Sequence, residues 1–567
     1  MWVLGRSLTR HSGVSVFCSA VATLAFLVSA SPLLAQEGEG EPDKLVHSDP
    51  NVENSFGDHF GWSVAVSGNT AVVGTPTKDD FGDLSGAVYV FVRAGATNPW
   101  IQVAKLIPRD ARRGLQFGRS VAISGDTIIV GAVGDDEHGE FTGSAYIFAR
   151  HHGGPNAWGE VTKLRASNAA QGDVFGESVS ISGDTAVVGA PQNQAPFPAR
   201  AGFATIFERN HLGIDVWGEA ARVTAGDGQS GDRFGASISI SGDTFIVGSP
   251  DDDQPGLPFF GFSAGSAYVF ARQSNMPGDW AEVVKLIARD AVAGDGFGWA
   301  VGIDGDTAIV GAPGGAPEGL GQPSTGVAYV FSRDGATAQW DETAKLIPGG
   351  GANDQFFGGS VSISGDMAVV GASSDDEKGG RGSQSGSAYA YFRQQGTHSW
   401  EQGTKLTAHD GKAGDQFGWS VSLSGTTAIV GSPTFDEIGS AYVCVLSAVN
   451  SATGGCREAI PVVNDLFTMS DVITNCCDPD EFRITATFTN TGSVPIRDLF
   501  FEVTQLAQGN LLENADHGPG GIGSTLTPDV GDRILSPGEA TTVTFVIRLV
   551  TKSTFWIYVN LRGELGP

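Results

Sequence analysis

The sequence predicts an all-β protein: a seven-bladed β-propeller closed by an N-terminal strand and followed by a β-sandwich domain. Three observations carry this reading. A Phe-Gly dipeptide recurs seven times, at Phe60, Phe117, Phe175, Phe234, Phe297, Phe357 and Phe417, at intervals of 57 to 63 residues. Each copy opens the same succession of short apolar runs, as in Phe175-Gly-Glu-Ser-Val-Ser-Ile-Ser-Gly-Asp-Thr-Ala-Val-Val-Gly-Ala-Pro191. Glycine makes up 81 of the 567 residues, and only 17% of the residues are charged. That composition suits many short strands joined by tight turns, and it excludes a coiled coil or a disordered chain. The net charge of −29 argues against nucleic acid and anionic membrane surfaces as partners.

The first element is an export signal. Arg6 and Arg10 precede an apolar stretch from Val14 to Ala35, and Leu33-Leu34-Ala35 before Gln36 has the small residue a signal peptidase needs. Residues 1–35 therefore read as a signal peptide, with an uncleaved anchor as the alternative. No later segment is apolar enough to span a bilayer. The mature chain is expected to be secreted, extracellular or at the cell surface, and monomeric.

Residues 36–450 hold the repeats. Within one unit, Ser178 to Ser182 alternates apolar and small residues and reads as strand one. Gly183-Asp184 supplies the positive φ of a type II′ hairpin, and Ala186 to Ala190 is strand two. Strand three is Gly-Ser-Ala-Tyr-Val-Phe or a relative, as at Gly265 to Phe270. Strand four begins at a Trp placed five residues before a Lys-Leu pair: Trp100/Lys105, Trp158/Lys163, Trp280/Lys285, Trp340/Lys345 and Trp400/Lys405, with Trp217/Arg222 as a variant. From that Lys or Arg to the next Phe-Gly the distance is always 12 residues. The seventh unit ends after strand three, near Tyr442, with no Trp or Lys-Leu. The missing piece stands at the other end as Lys44-Leu45-Val46, so the N-terminal segment is expected to complete the last blade and close the ring.

These units resemble FG-GAP repeats, whose signature is seen as Phe175-Gly176 with Gly189-Ala190-Pro191 and as Phe297-Gly298 with Gly311-Ala312-Pro313. The family builds the propeller of integrin α subunits and occurs in exported bacterial proteins, so the resemblance implies extracellular recognition or adhesion without fixing a ligand. Integrin-type repeats often carry a calcium loop between strands one and two. Here that connection is only Ser-Gly-Asp-Thr, too short for the six to eight oxygens calcium prefers. Asp126, Asp184, Asp243, Asp306 and Asp366 accordingly read as turn residues, and no metal site is carried over.

In a four-stranded blade the loop between strands two and three shares a face with the connection from strand four to the next blade. The two-three loops hold Asp79 and Asp80, Asp135 and Asp136, Asp251 and Asp252, Asp375 and Asp376, and a further pair at Asp436-Glu437. The connections add Asp58, Asp173, Asp232, Asp295 and Asp415, each two residues before Phe, where a cap or turn role is expected. Two readings stand: a face that attracts a basic partner or calcium, the one cofactor left open, or a solvated acidic surface that keeps the protein soluble. Trp62, Trp299 and Trp419 directly follow a Phe-Gly and fall on the same face. They could stack on a sugar or hold a peptide side chain, or they could pack between blades.

No zinc spacing, phosphate loop or nucleophile elbow is present, so catalytic residues are expected to be none. From 457 to 567, runs such as Arg483–Thr489, Leu499–Val503, Thr541–Ile547 and Phe555–Val559 suggest strands of an immunoglobulin-like sandwich, loosely similar to modules of bacterial surface proteins. Cys444, Cys456, Cys476 and Cys477 cluster at the junction. Adjacent Cys476 and Cys477 rarely bond to each other, so bridges from Cys444 and Cys456 to that pair are preferred. The functional expectation is an exported, non-enzymatic recognition or adhesion protein for an extracellular protein or glycan. A carbohydrate- or lipid-active propeller enzyme and a purely structural surface component are the alternatives.

Overall fold

The computed structural model describes residues 44–446, apart from short loop stretches (51–56, 96–98, 155–156, 193–199, 212, 214, 254–263, 275, 317–324, 350–354, 377–383, 395–397, 409 and 434–437), together with the backbone of strands in 2–6 and 467–565. Most of the proposed leader, Asp436-Glu437, Cys456 and the side chains of Cys476 and Cys477 lie outside the described residues. Two compact units result: Asp43–Val92 with Trp100–Arg457, and Met1–Pro42 with Arg93–Pro99 and Glu458–Pro567. Among the described residues there is no helix, and every regular element is a strand.

The first unit is a propeller of seven four-stranded antiparallel sheets. Blade 3 shows the plan: Val179–Ser182, Thr185–Ala190, Phe203–Glu208 and Gly218–Val223, in spatial order. Blades 1, 2, 4, 5 and 6 span 63–106, 117–164, 237–286, 300–346 and 357–406. Blade 7 takes Ser420–Ser424, Thr427–Ser432 and Ser440–Val445, and its fourth strand is Lys44–Leu45, with Lys44 opposite Tyr442 and Leu45 opposite Ala441. Strand two is buried along its whole length in blades 1, 3, 5 and 7, which is why it reads as an unbroken apolar run. Strand four is half-exposed, with its terminal Leu buried.

Blades join through a close backbone approach that explains the two signature glycines. Gly176 has φ +93°, and the N–H of Gly176 donates to the carbonyl of Gly189 at 3.0 Å. A Cβ on Gly189 would lie 2.1 Å from the carbonyl oxygen of Gly235 in the next blade, so any side chain would push the blades apart. At the one-two hairpins the glycine N–H of each blade donates to a side-chain oxygen of the blade before it. Ser67, Ser124, Ser182, Ser241, Ser364 and Ser424 accept from Gly125, Gly183, Gly242, Gly305, Gly425 and Gly68, and Asp304 accepts from Gly365. The bond from Gly68 to Ser424 links blade 1 to blade 7, so this belt of hydrogen bonds has no open end.

The hairpin aspartates are turn residues with one added contact. The carbonyls of Asp126, Asp184, Asp243, Asp306 and Asp366 accept from the Arg N–H that ends strand three, and each carboxylate pairs with that Arg. Arg150, Arg272 and Arg393 in turn lie over the rings of Trp158, Trp280 and Trp400 at 4.5 to 5.0 Å. In these three blades the Trp that opens strand four is held by that stacking, while Trp217 and Trp340 pack into the hydrophobic clusters between blades.

The second unit contains two sheets. One orders Phe467–Asp478, Glu481–Asn490, Ala540–Arg548 and Leu511–Leu512; the other orders Trp2–Arg6, Phe555–Leu565, Ile496–Leu506 and Thr525–Leu526. Trp2–Arg6 thus pairs with Phe555–Val559, and cleavage after Ala35 would remove that edge strand. Cys444 is buried and disulfide-bonded, to a sulfur outside the described side chains.

Candidate functional site

The Phe-Gly segments gather at one mouth of the propeller. The phenylalanine rings are fully buried, and each sits beside the start of strand three of the preceding blade: Gly86 bridges to Phe117, Gly265 to Phe297, and Gly439 to Phe60. To aim the ring inward, the residue before it takes a left-handed conformation. His59, Gln116, Val174, Arg233, Phe356 and Gln416 all have φ between 50° and 59°. For β-branched Val174 this is an outlying backbone state held by its surroundings.

The acidic loops are largely bound into the fold. Tyr of strand three is buried and its hydroxyl donates to an aspartate in the connection entering that blade: Tyr89 to Asp49, Tyr146 to Asp110, Tyr268 to Asp227, Tyr329 to Asp290 and Tyr442 to Asp410, at 2.7 to 2.9 Å. The strand-four lysine binds the same carboxylate, as in Lys163 to Asp110, Lys285 to Asp227 and Lys345 to Asp290, each at 2.6 Å. Lys44 joins Asp410 and lies over Tyr442, so blade 7 carries the same Tyr–Asp–Lys staple. These five aspartates were not singled out from the sequence. Their signal was there, because each stands five residues after a Lys or Arg of strand four.

The rim charge expected of the two-three loops is corrected accordingly. Asp135, Asp252 and Asp375 are buried, not displayed, and pair with Lys163 at 2.5 Å, Lys285 at 2.6 Å and Lys405 at 2.9 Å. Asp80 pairs with Lys105, and Asp136 with Arg112. Asp79 and Asp376 accept loop N–H groups of Leu84 and Gln384. Burial works to raise Asp135, but the hydrogen bonds of Lys163 and its neighbours overrule it and hold the carboxyl well below the usual carboxylate range. Asp110, Asp135 and Glu137 bring three carboxylate oxygens within 4.8 Å of one another, the geometry of a cation seat. The Lys163 ammonium is already there, 2.6, 2.5 and 3.1 Å from the three.

The three mouth tryptophans part company. Two residues after each Phe, the sequence runs Trp62, Arg119, Glu177, Ala236, Trp299, Gly359 and Trp419 around the mouth. Blades 7 and 1 adjoin, so Trp419 and Trp62 pack ring to ring at 4.9 Å, Arg119 covers Trp62 at 4.8 Å, and Glu177 pairs with Arg119 at 2.9 Å. Trp299 has only Ala236 and Gly359 at the flanking positions. It remains 40% exposed, the largest such side chain among the exposed hydrophobics of the described residues.

Trp299 forms one wall of a cleft of about 700 Å³ between blades 4 and 5. Phe356 meets the indole edge-on at 5.5 Å, and Arg233 lies over it at 5.6 Å while pairing with Asp251. Asp232, Asp251, Asp253 and Asp295 also line the cleft, with Pro250 and Pro313. Asp232 is 4% and Asp295 6% exposed. As the cap role requires, one oxygen of each accepts a backbone N–H three residues upstream, from Gln229 to Asp232 and from Val292 to Asp295. Lys412 and Ala170 do the same for Asp415 and Asp173.

What differs is the second oxygen. In blade 3, Gln192 donates to Asp173 Oδ1 at 2.6 Å. Blade 4 places Asp251 at the Gln192 position and blade 5 places Gly314 there, so Oδ1 of Asp232 and of Asp295 has no hydrogen-bond partner among the described residues. Burial raises both carboxyls to about 6, with Asp252 and Asp253 adding to it at Asp232 and Asp290 at Asp295. Two recessed, half-bonded carboxylates therefore face an open cleft beside an exposed indole.

The chain matches the FG-GAP repeat model in seven segments, 41–91, 100–148, 158–207, 217–270, 280–331, 340–391 and 400–444, more than half of its length. Among solved structures, Sqt1 of Saccharomyces cerevisiae is similar at 8% identity and a TM-score of 0.37, over 79% of this chain and 96% of that one. A 6-phosphogluconolactonase candidate from Bacteroides uniformis is similar at 11% identity and 0.39, over 62% and 86%. Another from Bacteroides fragilis aligns at 9% identity and 0.39, over 62% and 85%. No curated protein sequence matches. Seven matched repeats, one per blade, place the chain in the FG-GAP repeat family.

Proposed function

We propose that the protein is an exported, non-enzymatic recognition protein that holds an extracellular protein or glycan against the mouth of its propeller. One observation carries the reading: the cleft between blades 4 and 5, where an exposed Trp299 stands beside carboxylates whose second oxygens the fold leaves unused. Elsewhere on the same face the Tyr–Asp–Lys staples and the Arg119–Glu177 pair tie many of the charged groups to one another. A concave site with a large aromatic wall and a few convergent polar groups is the usual form of a ligand site. The test is binding of the full chain to protein and glycan arrays, alongside Trp299→Ala. Loss of the captured ligand in the variant supports the proposal, and unchanged capture refutes it.

A second reading has one observation in its favour. Two carboxyls raised to about 6 in one cleft are suited to proton transfer near neutral pH, as a carbohydrate-active enzyme requires. Incubation of a bound glycan followed by product analysis separates the two: an intact glycan supports recognition, and a cleaved one supports catalysis. Export follows from the leader read at residues 1–35, and N-terminal sequencing of the secreted protein tests it.

A further inference from the structure

We propose that the cleft between blades 4 and 5 is a saccharide site that takes a neutral sugar ring, stacked on Trp299, with hydroxyls donating to the free oxygens of Asp232 and Asp295. This rests on reading the mouth face as a recognition surface. The cleft, about 700 Å³, falls in the range of small-ligand sites and has room for more than one pyranose. An exposed indole offers a flat apolar platform to the C–H face of a sugar. Buried carboxylates with an unused oxygen are strong acceptors for hydroxyls, and a dry ligand without donors would leave them unsatisfied.

The cation already on the indole favours a sugar over an organic cation. The carboxylates alone would welcome an ammonium group, and an indole face would add a cation–π contact. One face of the ring already carries the Arg233 guanidinium at 5.6 Å, and the ring of Phe356 stands perpendicular to the indole at 5.5 Å. A second cation would share the Trp299 ring with Arg233 and gain less from it, whereas the C–H face of a sugar needs only the flat apolar surface. Arg233 also presents N–H donors beside the indole, which suits a ligand whose hydroxyls both give and accept hydrogen bonds. The remaining mouth tryptophans offer no equivalent, since Trp62 and Trp419 spend their faces on each other and on Arg119.

The test uses the full chain on an array of defined neutral oligosaccharides at pH 7.5, then calorimetry with the tightest of them. The expected result is a bound neutral glycan whose affinity falls at least 10-fold in Trp299→Ala and at least 5-fold in Asp232→Asn or Asp295→Asn. Asn keeps an oxygen for the Gln229 or Val292 N–H, so the turn survives, and an unchanged melting temperature verifies it. Ile101→Ala, on the exposed fourth strand of blade 1, leaves binding unchanged. Affinity for the glycan drops on going from pH 7.5 to pH 5. Three results overturn the proposal: no neutral glycan binds; binding survives all three cleft variants; or Nα-acetyl-lysine methylamide or calcium binds the cleft in its place. Hydrogen exchange separates this failure from failure of the face itself. A protein ligand that protects residues 250–253 and 294–299 keeps the recognition face and removes the sugar, and protection elsewhere removes both.

Discussion

Asp295→Asn at controlled pH is the sharpest test of how the cleft is built. The carboxyl is 6% exposed, keeps one backbone hydrogen bond and has a like charge, Asp290, near it. Raising it to about 6 from an ordinary 3.8 means the folded protein resists ionising it. At roughly 1.4 kcal/mol for each tenfold change, that gap sets an upper limit of about 3 kcal/mol on the cost at pH 8. Water reaches the cleft, so about 1–2 kcal/mol is expected. The sign follows from the direction of the shift. A carboxyl whose folded value lies above its unfolded one destabilises the fold at high pH, and the penalty fades as pH falls from 6 towards 4. Asp295→Asn removes the charge and should raise stability at pH 8, with the gain vanishing near pH 4. Asp290 is the contrast. Burial would raise it, but hydrogen bonds from Lys345 and Tyr329 hold it below the ordinary value, so it stabilises the fold above that value and its contribution is lost on acidification. Asp290→Asn should therefore lower stability at pH 8. Urea unfolding at pH 8 and pH 4.5 reads all of these; a loss from Asp295→Asn at pH 8, or a gain independent of pH, would refute the argument.

Leu45 is buried in the two-residue strand that completes blade 7, and Leu45→Ala should cost about 2–5 kcal/mol in urea unfolding, comparable to Leu106→Ala in blade 1. A loss below 0.5 kcal/mol would mean the strand is not part of the closed ring. Lys163→Ala removes one of the two cations paired with buried Asp135, leaving only Arg112, and should lower the melting point; because it also empties a three-carboxylate seat, millimolar calcium should restore part of the loss in the variant. Calcium with no effect on the variant would show that the lysine does not stand where a metal could. Ser182→Ala removes the acceptor for the Gly242 N–H and should cost about 1 kcal/mol with no change in binding, measured by unfolding and by glycan calorimetry.

The ring was legible because its rule is local. Each strand has its own apolar pattern, and the constant 12 residues from the strand-four Lys to the next Phe-Gly set the blade count from sequence alone. The fate of the aspartates was not, because it depends on partners about one blade away. Asp110 is held by Tyr146 and Lys163, 36 and 53 residues later, and only the wrap of one blade against the next brings them together. The split among the tryptophans needed one further step. Trp62, Trp299 and Trp419 share the same motif, and what distinguishes Trp299 is the small residue at the same position in each neighbouring blade, Ala236 and Gly359. Once the repeat is known to close on itself, that neighbour rule can be read directly from the aligned copies. The unused oxygens of Asp232 and Asp295 follow by the same comparison, from Asp251 and Gly314 where blade 3 has Gln192.

A crystal structure of the full chain grown with a neutral oligosaccharide tests the functional account most directly. It should show a sugar ring parallel to the Trp299 indole, with hydroxyls within hydrogen-bond reach of Asp232 and Asp295. A sugar seated elsewhere on the propeller, or the cleft filled by a cationic group against the two carboxylates, would contradict it.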